Sequence, residues 1–314
     1  MMISLISGIF LGWSLGANDA SNAFGAAVTS KMLRFRTAAV LAAVCVLAGA
    51  MLEGQAGIET LRGLTRLAPH QAVVSSVAAA VTVTIMTLLG LPVSASQAVV
   101  GAIMGIGFIN RQVNLAGLGK VIACWVGTPI GAVVIAVMVY KTAGAIYNRL
   151  DLNLFESDIL LRLALIAAGA YGAYAIGANN VANVTAVFVG AGTLSVFSAT
   201  LLGGVSIALG ILTFSRRVME TVGKKIVRLD AFSALVVVLA EAITLHIYTV
   251  IGVPVSSSQA VIGAIVGVGI VKGIKTVSRQ QILNILIAWL LTPTAATLIA
   301  ILLEVATHLQ YVPG

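Results

Sequence analysis

The sequence predicts an all-α polytopic membrane protein built from two inverted-topology repeats, with broken helices and re-entrant hairpins and about 10–12 membrane segments. Three observations predict it. The 314 residues are 60% hydrophobic and 9% charged, whereas a soluble chain carries about a quarter charged residues. Polar motifs recur in matched order in the two halves. The positive charge between apolar runs changes sides from one half to the other.

Apolar stretches of spanning or near-spanning length fall at 2–28, 37–57, 71–91, 93–109 and 117–141, then at 158–190, 198–215, 230–251, 255–271 and 281–306. They are long, rich in Ala, Leu and Gly, and do not alternate in polarity, which excludes strands. The opening MMISLISGIFLGWSLGANDA lacks a basic leader region and reads as the first mature membrane helix. NRLDLNLFESD, residues 148–158, is the one polar linker. It divides a first repeat, 1–147, from a second, 159–314.

Duplication shows in the motifs. GANDASNAFG (16–25) matches GANNVANVTA (177–186), and WVGTP (125–129) matches WLLTP (289–293). PVSASQAVVGAIMGIG (92–107) and PVSSSQAVIGAIVGVG (254–269) are identical at 12 of 16 positions. Lys31, Arg34 and Arg36 follow the first segment, but the corresponding gap at 191–198 has no charge. After the second segment the bias reverses: Arg62 and Arg66 stand against Arg216, Arg217, Lys224, Lys225 and Arg228. Positive loops stay cytoplasmic, so the halves are expected to insert in opposite senses, with 31–36 and 216–228 inside and both termini outside. The same rule accounts for the net charge of +8 without nucleic acid. The expected location is the cell membrane, multi-pass, in contact with the lipid bilayer. Cys45 and Cys124 lie in apolar runs and are expected as buried thiols.

Two constellations carry chemistry. Gly16 and Gly177 precede clusters of Asn and Asp, where the helix is expected to break and expose carbonyls towards a cavity. With Asn18, Asp19, Asn22, Asn179, Asn180 and Asn183 these carbonyls form a hard-oxygen set suited to Na⁺. The Asn side chains could instead cap broken helices or join neighbouring ones. In the second constellation, Pro92 and Pro254 suit the first turn of a helix. Ser94, Ser96, Gln97, Ser256, Ser258 and Gln259 then lie at or just inside two helix N-termini, an anion site without a basic side chain. Simple interhelical hydrogen bonding is the alternative. The GAxxG that follows each motif is the spacing of close helix approach. An anion held without Lys or Arg needs compensating charge, which a cation beside it supplies; binding of one then depends on the other.

Weaker candidates are Glu241, a carboxylate within an apolar run whose first-half counterpart is Ala79, and the matched pair Thr82 and Thr244. His246 reads as an isolated packing residue. Glu53, Glu304 and Arg162, near segment ends, are expected to snorkel. No metal-ligand Cys/His spacing, phosphate loop or nucleophile–base set is present, so an enzyme is not expected.

GANDASNAFG and GANNVANV together with two copies of PVSxSQAxxGAxxG resemble the inorganic phosphate transporter family over effectively the whole chain. The resemblance implies sodium- or proton-coupled uptake of inorganic phosphate, hairpins entering from one side, and a homodimer. It implies that Asp19, Asn22, Asn180 and Asn183 lie at the ion and phosphate centre. Ser94, Ser96, Gln97, Ser256, Ser258 and Gln259 are implied as phosphate and ion contacts, with Ser96 and Ser258 shared between anion and Na⁺. Two departures stand out: Asn180 replaces the Asp common in the second motif, and LAAVCVLAGA and LLGGVSIALG lack the Glu of animal members. The expected function is Na⁺-coupled phosphate symport by alternating access, with substrate at the repeat interface near the bilayer midplane. Na⁺ is the coupling ion and no other cofactor is expected. H⁺ coupling, or sulfate as the tetrahedral oxyanion on the same fold, is the alternative.

Overall fold

Lipid offers no hydrogen bonds to the backbone, so long apolar runs satisfy their own amides as helices. The computed structural model describes residues 2–88, 93–225, 230–273 and 279–310. Over these it has helices α1 (Met2–Thr29), α2 (Phe35–Glu53), α3 (Gln55–Arg62), α4 (Pro69–Leu88), α5 (Ala95–Asn110), α6 (Leu115–Asn148), α7 (Leu154–Gly190), α8 (Val196–Lys225), α9 (Ala231–Ile251), α10 (Ser257–Lys272) and α11 (Arg279–Gln310). Seven of them, α2, α4, α6, α7, α8, α9 and α11, are long and apolar enough to cross a membrane. The polar stretch expected at 148–158 is largely absorbed into helix. Asn153 and Glu156 form a capping box that starts α7 at Leu154, leaving only residues 149–153 between α6 and α7.

The helices do not break at Gly16 or Gly177: α1 and α7 run unbroken through both motifs. The glycines serve close crossing instead. A methyl group at Gly16 would stand 1.9 Å from the Ile207 carbonyl oxygen of α8, and one at Gly177 would stand 2.0 Å from that of Val46 in α2. Only a residue without a Cβ lets backbones approach that far.

These contacts come in exchanged pairs. Gly49 meets Tyr174 as Gly210 meets Trp13; Gly101 meets Pro293 as Gly263 meets Pro129. Thus α1 packs on α8 and α7 on α2, while α5 packs on α11 and α10 on α6. The expected GAxxG approach is realised at all four glycines, Gly101, Gly105, Gly263 and Gly267, each against a carbonyl of the partner helix. The equivalent helices α1 and α7 lie antiparallel: Phe24 rests against Gly169 and Ala23 against Gly172, while Gly12 and Gly8 rest against Val184 and Phe188.

Two helix pairs, α4 with α5 and α9 with α10, form hairpins. Helices α5 and α10 have 16 residues each, about 24 Å of rise against a hydrocarbon core of about 30 Å, too short to cross. Their N-terminal ends meet inside the protein. Ser96 Oγ donates to the Val255 carbonyl at 2.9 Å, and Ser258 Oγ donates to the Val93 carbonyl at 3.1 Å. Pro254 precedes the N-cap of α10, Ser256, by two residues rather than occupying the first turn; Pro92 lies outside the described residues.

Three peripheral expectations are also corrected. Glu304 does not snorkel. It is fully buried and accepts from Gln71 Nε2 at 2.8 Å, because α4 and α11 bring an amide donor to it. His246 is not isolated: its Nε2 is 3.1 Å from Glu53 and its Nδ1 is 2.8 Å from the Tyr171 hydroxyl. Glu53, only partly exposed, is held by that contact across α2 and α9. Arg162 is half-exposed and faces Asp158 at 3.6 Å. Both cysteines are free and partly buried.

Candidate functional site

Four elements converge where the hairpin tips meet: α1, α7 and the N-termini of α5 and α10. Each tip is built alike. Ser94 caps α5 by accepting from the Gln97 N–H at 3.4 Å, and Ser256 caps α10 by accepting from the Gln259 N–H at 3.3 Å. Ser256 Oγ is also 2.9 Å from Ser258 Oγ. A Ser N-cap leaves other N–H groups of the first turn unsatisfied within the helix, and two such ends facing one another concentrate positive potential.

The Asn and Asp of the repeated motif meet across the centre. Asn180 Nδ2 donates to Asp19 Oδ2 at 2.6 Å, and Asn18 Nδ2 donates to Asp19 Oδ1 at 3.2 Å. Asn183 Nδ2 donates to Ser96 Oγ at 3.0 Å and to Asn180 Oδ1 at 3.2 Å. Asn179 grips the second tip by both backbone groups of one residue: its Nδ2 donates to Val255 O at 2.8 Å, and its Oδ1 accepts from Val255 N–H at 3.0 Å. The Nδ2 group also reaches Asn180 Oδ1, at 3.1 Å.

Burial sharpens the picture. Asp19, Ser94, Ser96, Gln97, Asn179, Asn180, Asn183, Ser256 and Gln259 are buried, whereas Asn18, Asn22 and Ser258 are partly accessible. Among the described residues no Lys, Arg or His is buried. Three buried carbonyl oxygens, Gln97 Oε1, Gln259 Oε1 and Asn183 Oδ1, have no hydrogen-bond partner among the described residues. Buried acceptors without donors are costly, so oxygens left open in this way suit a cation or a ligand hydroxyl.

Thr82 and Thr244 are buried as a matched pair, but each hydroxyl donates to its own helix, to Ala78 O at 2.7 Å and Ala240 O at 2.6 Å. Their lone pairs, not their protons, remain available. Glu241 is fully buried on α9, and neither carboxylate oxygen has a partner among the described residues. It lies within electrostatic reach of Asp19. With no broken helix, the oxygens around Asp19 come from side chains and hairpin tips rather than from carbonyls of α1 or α7.

Sequence reasoning missed Ser257, a buried serine at the second tip within electrostatic reach of Asp19. The signal was present: the second motif reads SSS where the first reads SAS. It also missed the backbone of Val93 and Val255, which carries no residue-type signal.

Comparison with known proteins fits this geometry. A family model described as "Phosphate transporter family" matches residues 15–300. A "Putative phosphate permease" of Methanocaldococcus jannaschii is 29% identical over 302 residues, covering 96% of each chain. A "Sulfate permease" of Bacillus subtilis is 30% identical over 310 residues, covering 96% of this chain and 86% of the other. Among solved structures, one titled "The sodium-dependent phosphate transporter" superposes with a TM-score of 0.82 at 24% identity, over 97% of this chain and 98% of that one; at that identity the likeness shows the fold. The paired polar motifs, the hairpin tips that meet inside the protein and the family match over residues 15–300 lead to one conclusion: the chain is a multi-pass membrane transporter belonging to the phosphate transporter family.

Proposed function

We propose that this chain is a Na⁺-coupled symporter of inorganic phosphate that works by alternating access. Its two halves insert in opposite orientations, and substrate is held between the two hairpin tips near the bilayer midplane. The observation that carries the proposal is the site itself. Two Ser-capped helix N-termini face each other beside a buried carboxylate, Asp19, with no buried basic side chain among the described residues.

The anion would be held by Ser94, Ser96, Gln97, Ser256, Ser258 and Gln259, helped by the amide of Asn180. Such donors alone compensate a dianion weakly in low dielectric, and Asp19 opposes it. Cations beside the anion resolve both problems. The oxygens of Asp19, Asn18, Asn22, Asn180 and Asn183, with the hydroxyls of Ser96 and Ser258, are hard ligands suited to Na⁺. Asn179 is less available because its amide is committed to Val255. Anion and Na⁺ therefore stabilise each other's binding, which is the thermodynamic content of coupling. The structural relative, described as a sodium-dependent phosphate transporter, supports Na⁺, and the antiparallel packing of α1 on α7 supports opposite insertion.

Two observations favour variants of this reading. The Bacillus relative is named for sulfate, and unpartnered Glu241 could carry a proton as the coupling ion. A homodimer is proposed on the family resemblance, with cross-linking in native membranes as its test.

Purified protein in liposomes separates these readings. Radiolabelled phosphate should accumulate only under an inward Na⁺ gradient and saturate with concentration. Non-saturable flux that ignores the gradient would sink the symporter. Full competition by equimolar sulfate would move the substrate assignment, and uptake driven by a pH jump without Na⁺ would move the coupling assignment.

A further inference from the structure

Equivalent residues of the two halves are not in equivalent states. On α7, Asn179 binds the Val255 peptide and Asn183 binds Ser96, so that one helix holds both hairpin tips. Their counterparts on α1 hold neither: Asn18 bonds its neighbour Asp19, and Asn22 makes no hydrogen bond among the described residues. Accessibility follows the same division. Along α1, Asn18, Asn22 and Ala26 are partly accessible at helical spacing, and Ser30, in the turn just past its end, is exposed. The matching line on α7, Asn179, Asn183 and Val187, is 2%, 1% and 3% exposed. The tips themselves stay symmetric, Ser96 to Val255 and Ser258 to Val93.

We propose that this asymmetry is a two-position latch. In the state described, Asn179 and Asn183 close the α7 side, while the line from Asn18 to Ser30 is the open route to the site. In the opposite state Asn18 takes the Val93 peptide and Asn22 takes Ser258, as Asn179 and Asn183 release. The open line ends beside Lys31, Arg34 and Arg36, so it leads to the cytoplasm. The inference rests on the opposite insertion of the halves proposed above. It gives Asn179 and Asn18 a positioning role distinct from ligation of an ion.

Sided thiol labelling of the full chain, in vesicles without Na⁺ or phosphate, tests it. Cys45 and Cys124 are replaced by alanine, and one cysteine is placed at the equivalent positions, Ala26→Cys or Val187→Cys. A membrane-impermeant maleimide should modify position 26 from one face and position 187 from the other, with position 26 at least about tenfold faster. Adding Asn179→Ala removes two hydrogen bonds from the closed side. It should speed labelling at 187 by about tenfold and slow it at 26. Asn18→Ala removes the resting half of the latch and should act in the opposite sense, slowing 187 further; this arm stands even if Asn179→Ala fails to fold. Equal rates from opposite faces, or both asparagine variants moving position 187 in the same direction, would overturn the latch while leaving the inverted halves standing. Labelling of both positions from one face would overturn both.

Discussion

Replacing Gly177 by alanine sets two readings of the glycine motif against each other, because they predict opposite signs. If the glycine loosened the helix, alanine would restore helix propensity and stabilise the protein by up to about 1 kcal/mol. The structure instead places an added Cβ 2.0 Å from the Val46 carbonyl oxygen and 2.7 Å from its carbonyl carbon and Cα. Cβ atoms essentially never come within 3.0 Å of a neighbour, so α2 and α7 must separate by about 1 Å in an interior packed as tightly as a crystal. The obstacle is backbone, which cannot swing away, so the overpacking cost belongs near the top of the usual range of about 1–3 kcal/mol. Set against the propensity gain, the net is a loss of about 2 kcal/mol. Thermal unfolding in detergent, followed by tryptophan fluorescence, reads it, with Gly131→Ala as control. Gly131 also lies within a helix, but no heavy atom stands within 4 Å of an added methyl, so that variant should hold or gain stability. Gly16→Ala, facing Ile207 at 1.9 Å, should repeat the loss. A Gly177→Ala protein as stable as the Gly131→Ala protein would refute the close-crossing account.

Other expectations are smaller in scope. Asp19→Asn should weaken the Na⁺ dependence of phosphate uptake by at least about tenfold, the scale of one lost charge-assisted contact, whereas Lys31→Gln should not; equal effects would contradict the site assignment. Gln71→Leu removes the amide that donates to buried Glu304 and should lower stability by about 1–3 kcal/mol, measured by thermal unfolding. Asp230 caps α9, and although burial pushes its carboxyl upward, hydrogen bonds from Lys272 and Ser233 outweigh this and hold it below the ordinary carboxylate value. The stability gained this way is present above the unfolded value and is lost as pH falls through the lowered folded one. The unfolding-temperature gap between the wild type and Lys272→Met should therefore be open at neutral pH and close below about pH 4. A gap that persists in acid would rule out the ion pair as its source.

The membrane class, the duplication and the capping serines were legible in the sequence because each rests on local chemistry. Hydropathy decides the solvent, a repeated motif at a fixed offset needs no structure to be seen, and Ser before a helical run caps it wherever the helix packs. That Asp19 and Asn180 occupy equivalent places in one repeated motif was also legible, but the hydrogen bond between them appears only in the structure. What tertiary structure decided depends on the neighbour a residue meets. Gly16 reads the same in sequence whether it breaks a helix or admits another backbone; only Ile207 tells them apart. Glu304 looked like a helix-end charge until α4 brought Gln71 to it, and His246 looked solitary until α2 brought Glu53. The difference between Asn18 and Asn179 could not be read at all. Their motifs are alike, but Asn179 meets the Val255 backbone and Asn18 meets only its neighbour Asp19, a difference set by which elements pack against each helix.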